Sequence, residues 1–480
     1  MKGVGSVSTK QLTKNAARYQ TDISKVSLLN ALANGGPLVW VSALIMGFGN
    51  LMAGQVIKAL LFLAIEVAFV AFMVIPNGGL HWLKLLPSLG DRVTEEVWNE
   101  ELFIYEYIKG DNSQQILLYA VATMVVIAAF FIIWRSSVRS GFVALNIKKS
   151  GKKVPTIIDD AKELLDSNIH KLLMFPPFMM LMIFTVVPLF YMMLMAFTNY
   201  SKVGDHLTLF DWVGMENFIS LFDSSSALGR QFMPVLTWTL IWAFFATFLN
   251  FFAGTVMAMI INRPSTRFKG LWRTVFSLTI AVPQFVSLLI LSKMLDTGGG
   301  TLGSGGGIIT QLIENLFGYH LQFGLDILTT RIGIILVNLW IGVPYSMLLC
   351  SGILMNIPED LYESARIDRT GPVRRFLKIT LPYMLFVTGP YLITQFIGNL
   401  NNFNVIYLLS GGGPGDLSQY TNGAKGTDLL ITWLYKLSLG ADRNYKLASV
   451  IGIFVFLISA ILSLVVYNRS SAVKGEEHFQ

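Results

Sequence analysis

The chain has 480 residues, of which 53% are hydrophobic and only 14% charged, with a mean hydropathy of +0.58. A soluble globular protein carries about 25% charged residues, so this composition excludes a surface covered for water and makes a lipid bilayer the natural solvent. The formal charge of +7 is then read by where it falls along the chain rather than by its sum, and without a basic stripe interleaved with aromatics it does not point to nucleic acid.

Residues 1–37 are polar and basic and lack the short apolar core and small-residue cleavage site of a signal peptide; the first span is expected to act as an uncleaved signal. Residues 38–54 are apolar but glycine-interrupted, too short to cross, and read as an interfacial or re-entrant lead-in. A crossing takes about 20 mostly apolar residues. Eight runs qualify: 56–75, 116–134, 172–197, 234–261, 271–294, 332–355, 383–409 and 447–467. The seventh is long, and its outer end is the softest boundary. The expected fold is an all-α polytopic membrane protein of eight transmembrane helices. It divides into an N-terminal segment 1–37, a membrane region 38–171, a six-span core 172–467 holding a charged loop 356–382, and a tail 468–480.

Lysine and arginine set the orientation. With the N-terminus inside, the inside segments hold 24 of them and the outside segments 10, and the loops agree with one another, so both termini are expected in the cytoplasm. The first outside loop is acidic, from Asp91 through Glu106 to Asp111, and reads as a solvated face. Glu66 is the carboxylate set well inside an apolar run; packing against a neighbour or protonation accounts for it more simply than a transport role. Gly298, Gly300 and Gly303 satisfy G-x-G-x-x-G, but an apolar run precedes them instead of a strand, so they read as a flexible linker. No phosphate-loop pattern and no H-E-x-x-H occurs, and the single cysteine, Cys350, allows neither an internal disulfide nor a cysteine metal cluster. No cofactor is implied.

The stretch "YESARIDRTGPVRRFLKITLP", Tyr362–Pro382, interrupts the apolar pattern. Pro358 suits a helix start, and Glu359 and Asp360 suit its positive end. Arg366 and Arg369 fall near the other end. Gly371 is expected to supply a left-handed cap, after which Pro372 opens a second short helix bearing Arg374, Arg375 and Lys378. Pro382 would punctuate the entry to the next span. A basic cytoplasmic loop with a Glu363–Arg366 pair would give the same composition.

The spacing tilts the balance. Glu363, Ser364, Ala365, Gly371, Ile379, Leu381 and Pro382 resemble the EAA motif of bacterial ABC-importer permeases, with serine in place of the first alanine. "NLWIGVPYSMLLCSGILMNIPEDLYESA" from Asn338 and "NLNNFNVIYLLSGGGP" from Asn399 are similar to the larger permease subunit of maltose and maltodextrin importers. The resemblance covers roughly the third to the eighth span. It implies a type I importer core with extra N-terminal helices, in a bacterial plasma membrane. The implied partners are a second permease, two ATPase subunits gripping the charged elbow, and an extracytoplasmic sugar-binding protein. ATP hydrolysis would belong to the ATPases. Enteric members carry a large extracytoplasmic domain after the third span, where this chain has only Asn199–Arg230 and its neighbours.

The resemblance also implies a sugar path of Gln284, Asn338, Gly342, Tyr345, Gln395, Asn399 and Asn402, with Ile280 and Gln284 standing for a tyrosine and a serine of the family, Gln395 for a serine, and Gly398 for a stacking phenylalanine. Amides supply the paired donors and acceptors a neutral sugar needs, although asparagine and glutamine also tie neighbouring helices together. Asn250 reads as such a tie. Maltodextrin is the first expectation and a galacto-oligosaccharide the second. An ion-coupled secondary transporter and a non-transporting membrane scaffold or enzyme are the rival classes.

Overall fold

The computed structural model describes residues 26–99, 103–166, 168–202, 204, 206–298, 305–415, 423–440 and 443–469. Gly300 and Gly303, the first 25 residues and the tail from 470 lie outside the described residues. Seven described helices are long and apolar enough to cross a membrane: Val56–Val74, Ser113–Lys149, Ile169–Met195, Leu228–Asn262, Ile327–Leu354, Pro372–Leu400 and Tyr445–Val465. The remaining crossing, fifth in chain order, is a pair, Lys269–Ala281 and Gln284–Met294, bent by 88°. The helices thus fall on the eight expected runs. The main departure from helix among the described residues is a small antiparallel hairpin, Glu95–Asn99 with Ile104–Ile108, in the acidic loop. The chain forms two compact units, Met1–Leu194 with Leu207–Trp212, and Met195–His206 with Val213–Gln480.

In the first unit the lead-in resolves into two short helices, Pro37–Leu44 and Phe48–Ala53, joined through Gly47 at φ +85°. They pack on the second span. Gly49 meets Gly141 so closely that a Cβ on Gly49 would lie 3.0 Å from the Gly141 Cα, the small-residue contact that lets membrane helices approach. Asn50 Nδ2 donates to Ser140 Oγ at 2.9 Å, and the Gly47 amide donates to Ser137 Oγ at 3.0 Å. Glu66 Oε2 accepts the Met46 amide at 2.8 Å, so this carboxylate serves the turn between the two short helices.

The core of the second unit is the fourth span laid along the sixth. A Cβ on Gly254 would come within 2.8 Å of the Ser346 backbone, and the Thr255 hydroxyl lies 3.3 Å from the Cys350 sulfur, which is buried and free. Two departures from the expected spans follow from local chemistry. In the fifth, Val282 precedes a proline and is extended at φ −78°, ψ 125°; Pro283 brings no amide, so the helix stops and restarts at Gln284. The seventh helix ends at Leu400, not 409. The Asn401 side chain turns back to the Ile397 carbonyl at 3.2 Å, and Asn402 Oδ1 accepts the Val405 amide at 3.3 Å, starting a separate helix Phe403–Ser410.

The seventh helix also begins earlier than expected. Pro372–Arg375 runs through a π-helical turn, Phe376–Thr380, into Leu381–Leu400, one continuous rod. Pro382 lies inside that rod, directly after the π-helical turn, so it marks no interruption.

Candidate substrate cavity and charged elbow

The fourth to seventh spans enclose a cavity of about 660 Å³, within the roughly 300–1,000 Å³ typical of small-molecule sites. The structure brings all seven residues expected on the path to its wall: Gln284, Asn338, Gly342, Tyr345, Gln395, Asn399 and Asn402. Ile280 and Gly398 line it as well. Among the described residues no charged one does. The break in the fifth span supplies one side. Val282, Pro283 and Gln284 all line the cavity, so the first turn of a half-helix begins there.

The amides divide by what they already bond. Asn338 is 5% exposed, yet its Nδ2 is buried without a hydrogen-bond partner among the described residues. A buried donor left unpaired costs about 1–3 kcal/mol. Asn399 is committed on one side: its Nδ2 donates to Thr247 Oγ1 at 3.0 Å, its Oδ1 accepts from Asn402 Nδ2 at 3.3 Å, and its backbone carbonyl takes the Trp242 indole at 3.1 Å. Asn402 in turn caps the next helix. These two residues combine interhelical bonding with a place on the wall.

Sequence reasoning placed Asn250 as an interhelical tie, and the structure corrects this. Its Nδ2 donates to the Ala246 carbonyl of its own helix at 2.8 Å, its Oδ1 is buried and unpartnered, and the residue lines the cavity. Gly342 makes room for it, because a Cβ there would lie 2.8 Å from Asn250 Cγ. Thr247, Ser287, Trp340 and Tyr391 are wall residues that were missed. Trp340 and Tyr391 repeat the amide-and-aromatic pattern near Asn338 and Gln395, which was a usable signal. The Tyr345 and Tyr391 rings stand 6.3 Å apart with planes tilted by 32°. At Gly398 a Cβ would meet nothing within 4 Å, so the space of a stacking ring is open.

The charged loop is a helix, Glu359–Ile367, a turn, and the start of the seventh helix. Tyr362 Oη lies 2.9 Å from Thr380 Oγ1 and ties the two limbs. Ala365 and Thr380 are buried between them, Ile379 and Leu381 are half-buried, and Glu363, Ser364, Gly371 and Pro382 are exposed. The left-handed residue of the turn is Arg369, at φ +49°, whereas Gly371 is extended at φ −66°, ψ 160°. Gly371 is therefore not the cap the sequence suggested. A Cβ on it would meet nothing within 4 Å, so no contact inside this chain requires glycine there. Glu363 forms no ion pair with Arg366 among the described residues.

Residues 250–472, the stretch holding both the elbow and most of the cavity wall, match the family described as "Binding-protein-dependent transport system inner membrane component". The chain is 30% identical to the Maltodextrin transport system permease protein MalC of Streptococcus pneumoniae, over 91% of this chain and 96% of that one. It belongs to the family of binding-protein-dependent permeases. Two further relatives span almost its whole length. One is the Maltodextrin transport system permease protein MdxF of Bacillus subtilis, 31% identical over 91% of this chain and 96% of that one. The other is the Galactooligosaccharides transport system permease protein GanP of Bacillus subtilis, 29% identical over 90% of this chain and 97% of that one. This permease is thus a multi-pass membrane transport subunit, and the family match begins at Asn250, on the wall of its cavity.

Proposed function

We propose that this permease moves a neutral oligosaccharide into the cell, maltodextrin in the first place, through the cavity among its fourth to seventh spans. The observation that carries the reading is the wall itself: amides, hydroxyls and aromatic rings, with no charged side chain among the described residues. An anionic sugar would require arginine or lysine there, and desolvating it beside neutral groups is costly. The names of MalC and MdxF favour maltodextrin; GanP favours a galacto-oligosaccharide as the second reading. Gln284, Asn338, Tyr345, Gln395, Asn399 and Asn402 hold the sugar by hydrogen bonds and ring contact, while Gly342 sets the room beside Asn250.

The permease works with a second permease, two ATPase subunits and an extracytoplasmic binding protein, its two termini in the cytoplasm. The elbow is the ATPase grip. Glu363 stands exposed for a basic partner, and glycine at 371 answers a close approach from outside the chain, since nothing within the chain calls for it. Gln395 and Asn399 ride on the same rod as Pro372–Arg375, so motion of the elbow is carried to the cavity wall. ATP-driven closure turns the bundle outward to receive sugar, and release follows inward after hydrolysis.

The test is ATP-dependent uptake of a labelled oligosaccharide panel by proteoliposomes holding the full complex with ion gradients collapsed. Uptake of maltodextrin is expected to persist. Dependence on the ion gradient, or preference for a uronate sugar, overturns the proposal. For the elbow, Glu363→Lys and Gly371→Pro are each expected to abolish ATPase co-purification; normal co-purification of both variants refutes the grip.

A further inference from the structure

A second cavity, of about 580 Å³, lies where the end of the fourth span, the end of the sixth span and the two limbs of the elbow meet. Arg263, Arg366 and Arg375 line it against a single carboxylate, Glu359. None of the three guanidinium groups forms an ion pair or side-chain hydrogen bond among the described residues. Arg375 is half-buried, and its Nε is shut off from solvent with no acceptor. A buried donor on a charged group is expensive to leave unmet. Part of the remaining wall is apolar, with Met259, Leu354 and Phe376, and part is polar, with Asn262 and the bonded Tyr362 and Thr380 hydroxyls. Asn262, also on the wall, is held by Arg273 and by the Ser351 hydroxyl, so that side is fixed.

We propose that this cavity is a phosphate-binding site beneath the elbow, taking the phosphate of an anionic lipid or of a soluble phosphate ester. Three arginines on the wall of one cavity, Arg375 half-buried and Arg263 and Arg366 exposed, suit a group with several oxygens, and arginine meets phosphate by paired hydrogen bonds. The apolar part of the wall suits the glycerol and first methylenes of a lipid. The site also lies at the ends of two membrane-crossing helices, and basic pockets between such helices bind anionic headgroups. A bound phosphate would tie the fourth span to both limbs of the elbow. The proposal does not depend on which sugar the permease carries.

The test uses the full chain in neutral detergent, with native mass spectrometry counting retained phosphatidylglycerol against phosphatidylcholine, alone and in competition with glucose 6-phosphate or inorganic phosphate. Arg263→Gln with Arg375→Gln is compared with Arg374→Gln, an exposed arginine on the same limb that does not line the cavity. Selective phosphatidylglycerol retention, about tenfold weaker in the paired variant and unchanged in Arg374→Gln, supports the lipid source. Displacement by a soluble phosphate at low millimolar concentration, with the same variant pattern, supports the soluble ester. Equal retention in all three proteins, or no anion retained by the natural chain, overturns the site. If the paired variant instead loses only its ATPase in co-purification, the arginines belong to the motor contact and the proposal fails. Circular dichroism of each variant separates loss of the site from loss of the fold.

Discussion

Asn338→Ala and Asn399→Ala remove the same group from the same cavity wall, yet they should differ in kind. Asn399 Nδ2 holds Thr247 Oγ1 across helices at 3.0 Å, and Thr247 is only 3% exposed. Interhelical bonds of this sort are worth about 0.6 kcal/mol on average and up to about 1.7, and the stranded hydroxyl adds to the loss, so Asn399→Ala should cost about 1 kcal/mol of stability. The Trp242 bond survives, since it goes to the Asn399 backbone. Asn338 Nδ2 has no partner to lose among the described residues, so its truncation should leave stability unchanged or slightly raised. Its cost should appear in sugar affinity: one hydrogen bond of about 1 kcal/mol is roughly a fivefold rise in Kd. The assay pairs thermal unfolding of the complex in nanodiscs with maltodextrin titration followed by tryptophan fluorescence, for which Trp340 on the wall is a local reporter. If Asn338→Ala destabilises as much as Asn399→Ala and leaves Kd unmoved, Asn338 is a helix tie and the ligand-facing assignment is refuted.

Gly342→Ala places a methyl against Asn250 and should cost about 1–3 kcal/mol by overpacking; adding Asn250→Ala should recover at least about 1 kcal/mol in a double-mutant cycle, whereas additive losses would show that the two residues do not touch. Outside the spans, Lys436 Nζ meets Asp428 Oδ2 at 2.7 Å, with the Asp428 side chain 0% exposed. Lys436→Met should destabilise by about 3–5 kcal/mol by stranding that carboxylate, and Lys436→Met with Asp428→Asn should recover most of it; folded yield and thermal midpoint report both. Asp326 caps the sixth span through the Thr329 amide, and that bond holds its carboxyl below the ordinary range. A depressed folded value means the cap's contribution is present above the unfolded value of about 3.9 and is lost as pH falls through the folded one. The protection factor at Thr329, its exchange corrected for the intrinsic pH dependence of amides, should therefore fall under acid, and Asp326→Asn should remove that pH dependence.

The helical crossings were legible because a bilayer imposes one length and one solvent preference on every span. The cavity wall was legible for the opposite reason, since amides and tyrosines stand out where apolar residues are the rule. Three features were not. The bend at Val282–Pro283 looks like continuous hydrophobicity to any window average, and only the proline marks it. Asn250 was misread because a polar residue in a span signals burial against something without saying whether that is a helix or a void; the information lay in Gly342, distant in sequence. The elbow's turn put its left-handed residue at Arg369 because closing the helix through the Thr370 amide to the Ala365 carbonyl fixes the geometry two residues before the glycine. A glycine in a turn is a licence for positive φ, not a record that it is used.

The second helix has 37 residues and so runs about 55 Å, against roughly 30 Å of hydrocarbon. Nearly half of it must project like a mast from the lipid. The short helices ahead of the first span are lashed to that mast through Ser137, Ser140 and Gly141. Their depth is thus set by a fixed spar rather than by their own affinity for the interface, and they should keep their station when bilayer thickness changes.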